Sequence, residues 1–344
     1  MRIVQVLNQN DYKLFKTIVG LKQNSLMKTL DSYLRRKYDK GKIIKTDAYI
    51  YAEGDIPIAL VAHMDTVFKS PPEHIYYDER QGVIWSPEGL GADDRAGVFA
   101  ILKIIQSGLR PTVIFTTDEE IGGVGAEKLV KDFPTPPSEL KYIIQLDRRG
   151  TNDCVFYECV NEEFTKYVES FGFIENFGSF SDISELCPAW GVAGVNLSIG
   201  YEDEHSISET FHVKPWLSTV TKVELMLQEE EIPSFEYIED TRYVNYWKAL
   251  KNPYAWDYPD DDEICCSRCH KIFSEYEMIP VKFNHGTEYY CPDCCVDKVD
   301  WCNNCGEAFE AEKGEKFCPE CRKKIMGENK SKCSTKKFKK NSIK

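Results

Sequence analysis

Five apolar runs of strand length mark the first two-thirds of the chain: "DAYIYA", "PIALVA", "TVIFTT", "YIIQL" and "AGVNLSI". Stretches of helical periodicity separate several of them, notably "DRAGVFAILKIIQSG" and "AEKLVKDF". Continuous apolar strands alternating with helices leave few folds open. They predict an α/β domain built on a doubly wound, mainly parallel sheet flanked by helices. Ahead of them, residues 11–37 carry Leu14, Ile18, Leu21, Leu26, Leu30 and Leu34 at threes and fours, the pattern of one or two amphipathic helices. Residues 161–173 and 214–232 read as further helices, the second closing the domain. The expected organisation is a first domain over 1–232, a linker over 233–264, a cysteine-rich region over 265–325 and a basic tail over 326–344.

Length and charge bound the partners. A chain of 344 residues is long enough for one large domain and something smaller. Net charge is -13, but Arg322 to Lys344 carries +9, which leaves -22 on the rest. An acidic body disfavours nucleic acid as a partner, and a basic tail of this kind is ordinarily a solvated segment. The N-terminus lacks the basic start and apolar stretch of a signal peptide, and no run of 18 apolar residues occurs, so no membrane span is expected and the expected compartment is the cytoplasm.

Eleven of the 14 cysteines lie beyond residue 264, and in a reducing compartment that density favours metal over disulfides. Four Cys-x-x-Cys pairs occur: Cys266/Cys269, Cys291/Cys294, Cys302/Cys305 and Cys318/Cys321. The gaps within successive couples are 21 and 12 residues, the spacing of tandem zinc ribbons, each with four thiolates around one structural zinc. A cross-braced pairing fits the same spacing. Such modules bind nucleic acid, bind protein or brace a chain end. The acidic surroundings favour a protein partner or bracing.

Polar clusters follow the strand candidates. His63 and Asp65 follow "PIALVA", Asp118, Glu119 and Glu120 follow "TVIFTT", Asp147 follows "YIIQL", and His205 lies in "GYEDEHSISE" after "AGVNLSI". A further cluster, "GADDRAG" (91–97), opens a helix. Sites in open α/β sheets form beyond the carboxyl ends of the strands, so clusters placed there by sequence can meet in space. Each has an ordinary structural reading: a solvated turn, a helix cap, a loop carboxylate. Together they supply two imidazoles and several carboxylates, a donor set suited to two divalent ions. The adjacent glutamates offer one carboxylate for metal and one for a proton.

With "AHMDTV", "GLGADDRAG", "TTDEEIGG", "QLD" and "EHS" in this order, residues 50–215 resemble the co-catalytic di-zinc exopeptidases, the superfamily of zinc aminopeptidases, peptidase T-like enzymes and related deacylases. The resemblance implies two catalytic divalent metals, zinc first, with cobalt or manganese as alternatives. His63 would bind one ion and Asp65 would orient its ring. Asp93 would bridge both, with a cis bond to Asp94. Glu120 and Asp147 would bind one ion each, His205 would complete the second, and Glu119 would be the general base. Larger members insert a lid domain before the final histidine. Only 57 residues separate Asp147 from His205, which favours a lidless aminopeptidase-like branch. "FSDISEL" (180–186) resembles a pocket-lining signature of that branch, although Asp182 reads equally as a helix cap.

The expected function is a metallopeptidase acting on small peptides, an exopeptidase of the aminopeptidase kind. One alternative is an N-acyl-amino-acid deacylase using the same site. An amine anchor outside the metal set would distinguish the two, and Asp182, Glu202 and Asp203 are the candidates. A third reading is a zinc-ribbon adaptor with an inert peptidase-like scaffold.

Overall fold

A computed structural model describes residues 7–239 and parts of 263–324. Two compact units divide between Lys248 and Ala249.

The first unit is built on one mixed sheet. Among the described residues it contains, in chain order, β1 (Ile43–Lys45), β2 (Tyr49–Ala52), β3 (Ile56–His63), β6 (Pro111–Thr116), β7 (Tyr142–Arg148), β8 (Asp153–Val155), β9 (Ile174–Glu175) and β10 (Gly194–Ser198). A smaller sheet holds β4 (Tyr76–Asp78), β5 (Val83–Trp85), β11 (Tyr201–Glu202) and β12 (Thr210–His212). The main order is β1-β2-β6-β3-β7-β10-β8-β9. The central pairs β6/β3, β3/β7 and β7/β10 are parallel, while β1/β2, β2/β6 and β10/β8 are antiparallel. The sheet is thus mainly parallel at its centre, where the expected apolar runs form β2, β3, β6, β7 and β10. The smaller antiparallel sheet is not visible as periodicity, because its strands are only two or three residues long.

Helices cover both faces. On one side lie α1 (Gln9–Val19), α2 (Gln23–Leu34), α3 (Ala92–Gln106), α5 (Glu162–Ser170) and α7 (Val213–Leu227), sharing a core that includes Phe15, Leu30, Phe99, Phe164 and Trp216. On the other lie α4 (Val124–Asp132) and α6 (Asp182–Trp190), packed on Tyr49, Val61, Ile114 and Ile143. Local signals set the helix starts. Asn8 Oδ1 accepts the Asp11 N–H at the head of α1, Asn161 does the same for Phe164 in α5, and Ser181 with Ser184 forms a capping box on α6. Ser181 is therefore the cap and Asp182 the first helical residue.

Residues 233–239, expected to open the linker, pack against the first unit instead. Phe235 is buried, and Glu236 and Glu239 bridge to Val192 and Cys159. The apolar Phe235 gains more from the Tyr142–Phe164 aromatic cluster than from water. Residues 240–262, Cys269 and the tail 326–344 lie outside the described residues. No helix among the described residues is long and apolar enough to cross a membrane.

The second unit contains β13 (Glu263–Cys265), β14 (Ile272–Ser274), β15 (Ile279–Phe283), β16 (Gly286–Tyr290), β17 (Val299–Trp301) and β18 (Ala308–Glu310). β13 pairs with β14, while the others form one sheet in the order β16-β15-β18-β17. Cys302, Cys305, Cys318 and Cys321 gather with ligand atoms within 4.8 Å of one another, and so do Cys266, Cys291 and Cys294. This grouping is the sequential pairing.

Candidate metal centre

The centre is assembled at the carboxyl ends of β3, β6 and β7. His63 is the last residue of β3, in register with Thr116 of β6. Its buried ring lies between carboxylates. Nε2 is 3.2 Å from Asp93 Oδ1, 3.5 Å from Asp147 Oδ1 and 4.0 Å from Glu119 Oε2, and Nδ1 is 3.2 Å from Asp65 Oδ1. His205, more than half exposed, stands 3.2 Å from Asp93 Oδ2 and 2.9 Å from Glu120 Oε2. The two oxygens of Asp93 therefore face different histidines. His63, Asp93 and Asp147 form one triad, and Asp93, Glu120 and His205 a second.

The turn that carries Asp93 needs two glycines. Gly91 has φ +69°, and a Cβ there would press on Thr66. At Gly97 a Cβ would lie 2.3 Å from the Leu146 carbonyl oxygen, so only glycine lets α3 close on β7. The Asp93–Asp94 peptide is cis. Asp94 is fully buried and accepts the N–H groups of His63 and Gly97, joining the end of β3 to the start of α3.

Asp65 accepts the backbone N–H groups of Glu119 and Glu120 at 3.1 and 3.0 Å, which fixes the turn presenting both glutamates. Asp147 is oriented by Gln145 Nε2, Ser181 Oγ and Tyr201 OH, each donating to its carboxylate at 3.0 to 3.1 Å. Asn196 brackets the Asp147 backbone on both sides.

Electrostatics make this cluster cation-hungry. Burial, then repulsion from Asp93, pushes Glu120 up to about 7, and burial likewise raises Glu119. Asp147 is driven well above the carboxylate range by burial, although His63 opposes. Burial also works to raise Asp93, but hydrogen bonds from His205 and His63 outweigh it and hold the group low. Desolvation disfavours charge on His63, yet Asp147, Asp65 and Asp93 together raise it well above its ordinary value. The hydrogen bond to Asp93 lifts His205 to about 9. Glu120 Oε1 is buried without a hydrogen-bond partner among the described residues. Two triads of nitrogen and oxygen donors sharing one carboxylate, with such an orphaned oxygen, fit a pair of small divalent cations.

A cavity of about 310 Å³ opens over Asp93, Glu119, Asp147 and His205, with Arg148 and Phe180 on its walls. A second, of about 490 Å³, is lined by Asp65, Phe68, Glu120 and Ile121. Asp182 is not in the cleft. It is fully buried, accepts a hydrogen bond from Thr116 Oγ1, and is raised to about 7, first by burial and then by Glu119. Glu202 and Asp203 do not line either cavity among the described residues. Sequence reasoning passed over Glu209 and Tyr201, and met Asp94 only as the partner of the cis bond and Ser181 only within "FSDISEL". Glu209 lies inside the quoted "EHSISE", four residues after His205, but a carboxylate in a polar loop carries no signal of burial.

At the thiol clusters, Cys291 N–H donates to Cys266 Sγ and Asn304 Nδ2 to Cys321 Sγ, the amide-to-sulfur contacts that favour thiolate. Burial opposes ionisation of Cys302, but backbone N–H groups of Cys318, Asn304 and Cys305 outweigh it and bring the thiol down to about 6.

The sequence profile of peptidase family M20/M25/M40 matches residues 59–310. No curated protein matches the chain. Among solved structures, one described as a putative peptidase/endoglucanase superposes with a TM-score of 0.50 at 14% identity, covering 64% of this chain and 99% of that one. Aminopeptidase PepT from Bacillus cereus gives 0.49 at 16% identity, with 63% and 97% covered. A tripeptidase from Staphylococcus aureus gives 0.48 at 14% identity, with 64% and 97% covered. At these identities the likeness is one of fold.

Proposed function

The chain belongs to peptidase family M20/M25/M40, and from that premise we propose that it is a two-metal exopeptidase of the aminopeptidase kind, acting on small peptides. The observation that carries this reading is the Asp93 carboxylate, one oxygen 3.2 Å from His63 and the other 3.2 Å from His205. His63, Asp93 and Asp147 would hold one ion, and Asp93, Glu120 and His205 the other. Zinc is the first choice, with cobalt and manganese as alternatives. When bound, such a pair supplies a water of lowered pKa and polarises the scissile carbonyl.

The remaining chemistry belongs to the chain. Glu119 lines the cleft beside the shared carboxylate and is raised by burial, so it is suited to take a proton from the attacking water and return it to the leaving amine. Glu120, its neighbour, stays with the ligand set. Asp65 positions His63 and the glutamate turn. The stretch from Asp147 to His205 runs through β8, α5, β9, α6, β10 and β11 with no inserted lid among the described residues, as expected of a lidless exopeptidase.

A second reading, N-acyl-amino-acid deacylase, is favoured by the cleft wall. Arg148 and Arg149 line it next to Asp147, while none of Asp182, Glu202 and Asp203 does; Arg149 is paired with Glu204 of the same wall, so Arg148, 3.7 Å from Asp153, is the group that would meet a substrate carboxylate, and Glu204 the one that would meet a free amine. In the second unit, the thiol clusters would hold about two structural zinc ions and offer a surface for a protein partner.

The test is hydrolysis of free, N-blocked and C-blocked dipeptides, with and without chelator, alongside metal analysis. Aminopeptidase action requires chelator-sensitive cleavage of free and C-blocked dipeptides. Preferential cleavage of N-acylated amino acids selects the deacylase. Chelator-resistant cleavage, or none with two metals bound in the cleft, sinks both.

A further inference from the structure

His205 is the least secured of the candidate ligands. It is more than half exposed, has φ +62°, and sits in a loop whose residues 202–208 are all at least partly exposed. What fixes such a ligand against a buried partner is found at the ends of the loop. At one end, Tyr201 OH donates to Asp147 Oδ1. At the other, Glu209 is 1% exposed. Its carboxylate accepts the backbone N–H of Gly91 on one oxygen and of Asp93 on the other, the latter at 3.0 Å, and the Ala92 N–H also faces it.

These three amides form the turn that aims the shared carboxylate. They stand at the head of α3, where a carboxylate is favoured by both the free N–H groups and the helix dipole. No lysine or arginine forms an ion pair with Glu209 among the described residues, so backbone amides, not a counter-charge, hold its carboxyl in place.

We propose that Glu209 is a positioning residue that ties the His205 loop to the Asp93 turn and so sets the geometry of the Asp93–Glu120–His205 triad. This rests on the two-metal reading. His63 and Asp147 are held by the core strands β3 and β7, so the other triad keeps two rigid ligands when the tether is cut. Replacing Glu209 should therefore loosen one metal position and leave the other.

The test uses the full chain, cleared of cleft metal with a mild chelator and titrated with Mn²⁺, with free Mn²⁺ read by electron paramagnetic resonance. Manganese prefers oxygen and nitrogen donors, so the thiol clusters stay out of the readout. The wild type should show a tighter and a weaker step. In Glu209→Gln the tighter step should remain, and the weaker should drop by about 10–100-fold, the cost typical of losing an outer partner of a ligand. The thermal melt of the metal-free cleft should stay cooperative, which a general loss of structure would not allow. If Glu209→Gln does not fold, Glu209→Asp, which keeps the charge one methylene short, is read in the same way and must show the same selective loss. A variant that takes up both ions as the wild type does overturns the tether alone. A wild type that binds no pair overturns the two-metal reading and the tether with it.

Discussion

Asp65 Oδ1 lies 3.2 Å from His63 Nδ1, and the same carboxylate accepts the backbone N–H groups of Glu119 and Glu120. One side chain thus sets the imidazole of one strand end and the glutamate turn of the next. Asp65→Asn keeps the size but turns an amide toward donors that need an acceptor. Loss of such an outer partner costs about 10–100-fold in metal affinity or activity. Steady-state kinetics with metal analysis should show a fall in that range, with thermal stability changed far less than turnover. Unchanged kcat/KM would remove Asp65 from the centre.

Glu119 faces the cleft, while its neighbour Glu120 sits 2.9 Å from His205. That division of labour predicts different outcomes for similar substitutions. Glu119→Gln should keep its metal content and lose about 10²–10⁴-fold in kcat, the contribution of a positioned base. Glu120→Gln should lose metal as well. If Glu119→Gln turned over at the wild-type rate, the base would have to be sought elsewhere.

Much of this arrangement is legible in the sequence, and the reason is topological. In a parallel sheet all the strands end on one side, so His63, Glu120 and Asp147, each following an apolar run, arrive at the same edge. Asp93 is legible through its glycines, since Gly91 and Gly97 mark a turn and a close approach. What is not legible depends on burial. Glu209 and Glu204 are both loop glutamates in one short stretch, yet Glu209 is buried on three amides and Glu204 pairs with Arg149. Asp182 reads equally as a pocket residue or a helix cap and is neither: Ser181 caps α6, and Asp182 is fully buried and bonded to Thr116. Phe235 follows Pro233 and precedes acidic residues, a setting that gives no sign of its burial.

The core beneath the centre depends on stacked rings. Phe99 of α3 stacks on Trp216 of α7 at 4.3 Å between centroids and tilts against Phe15 of α1 at 5.5 Å. It is fully buried, one turn beyond the Asp93 turn. Phe99→Ala removes the ring from three helices at once and should cost about 3–5 kcal/mol. Chemical denaturation followed by tryptophan fluorescence measures this directly. A loss under about 1 kcal/mol would mean that the helices re-close over the gap.

The two thiol clusters share a sheet, since β15 pairs in parallel with β18 through Val281↔Ala308 and Lys282↔Phe309. β15, β16 and Ala308 of β18 pack beside the Cys266–Cys291–Cys294 cluster, whereas the next residue of β18, Phe309, packs with Cys302, Cys318 and Cys321. In modules this small, metal binding replaces much of the core, with about 10–16 kcal/mol per structural zinc. Losing one ion should therefore unsettle the strand on which the other cluster leans. Cys318→Ser is expected to lose its own zinc and also to release the second zinc faster than the wild type does. Native mass spectrometry gives the count, and zinc release to a chromogenic chelator gives the rate. A variant that loses one ion and holds the other with wild-type kinetics would show that the β15–β18 pairing carries no coupling between the clusters.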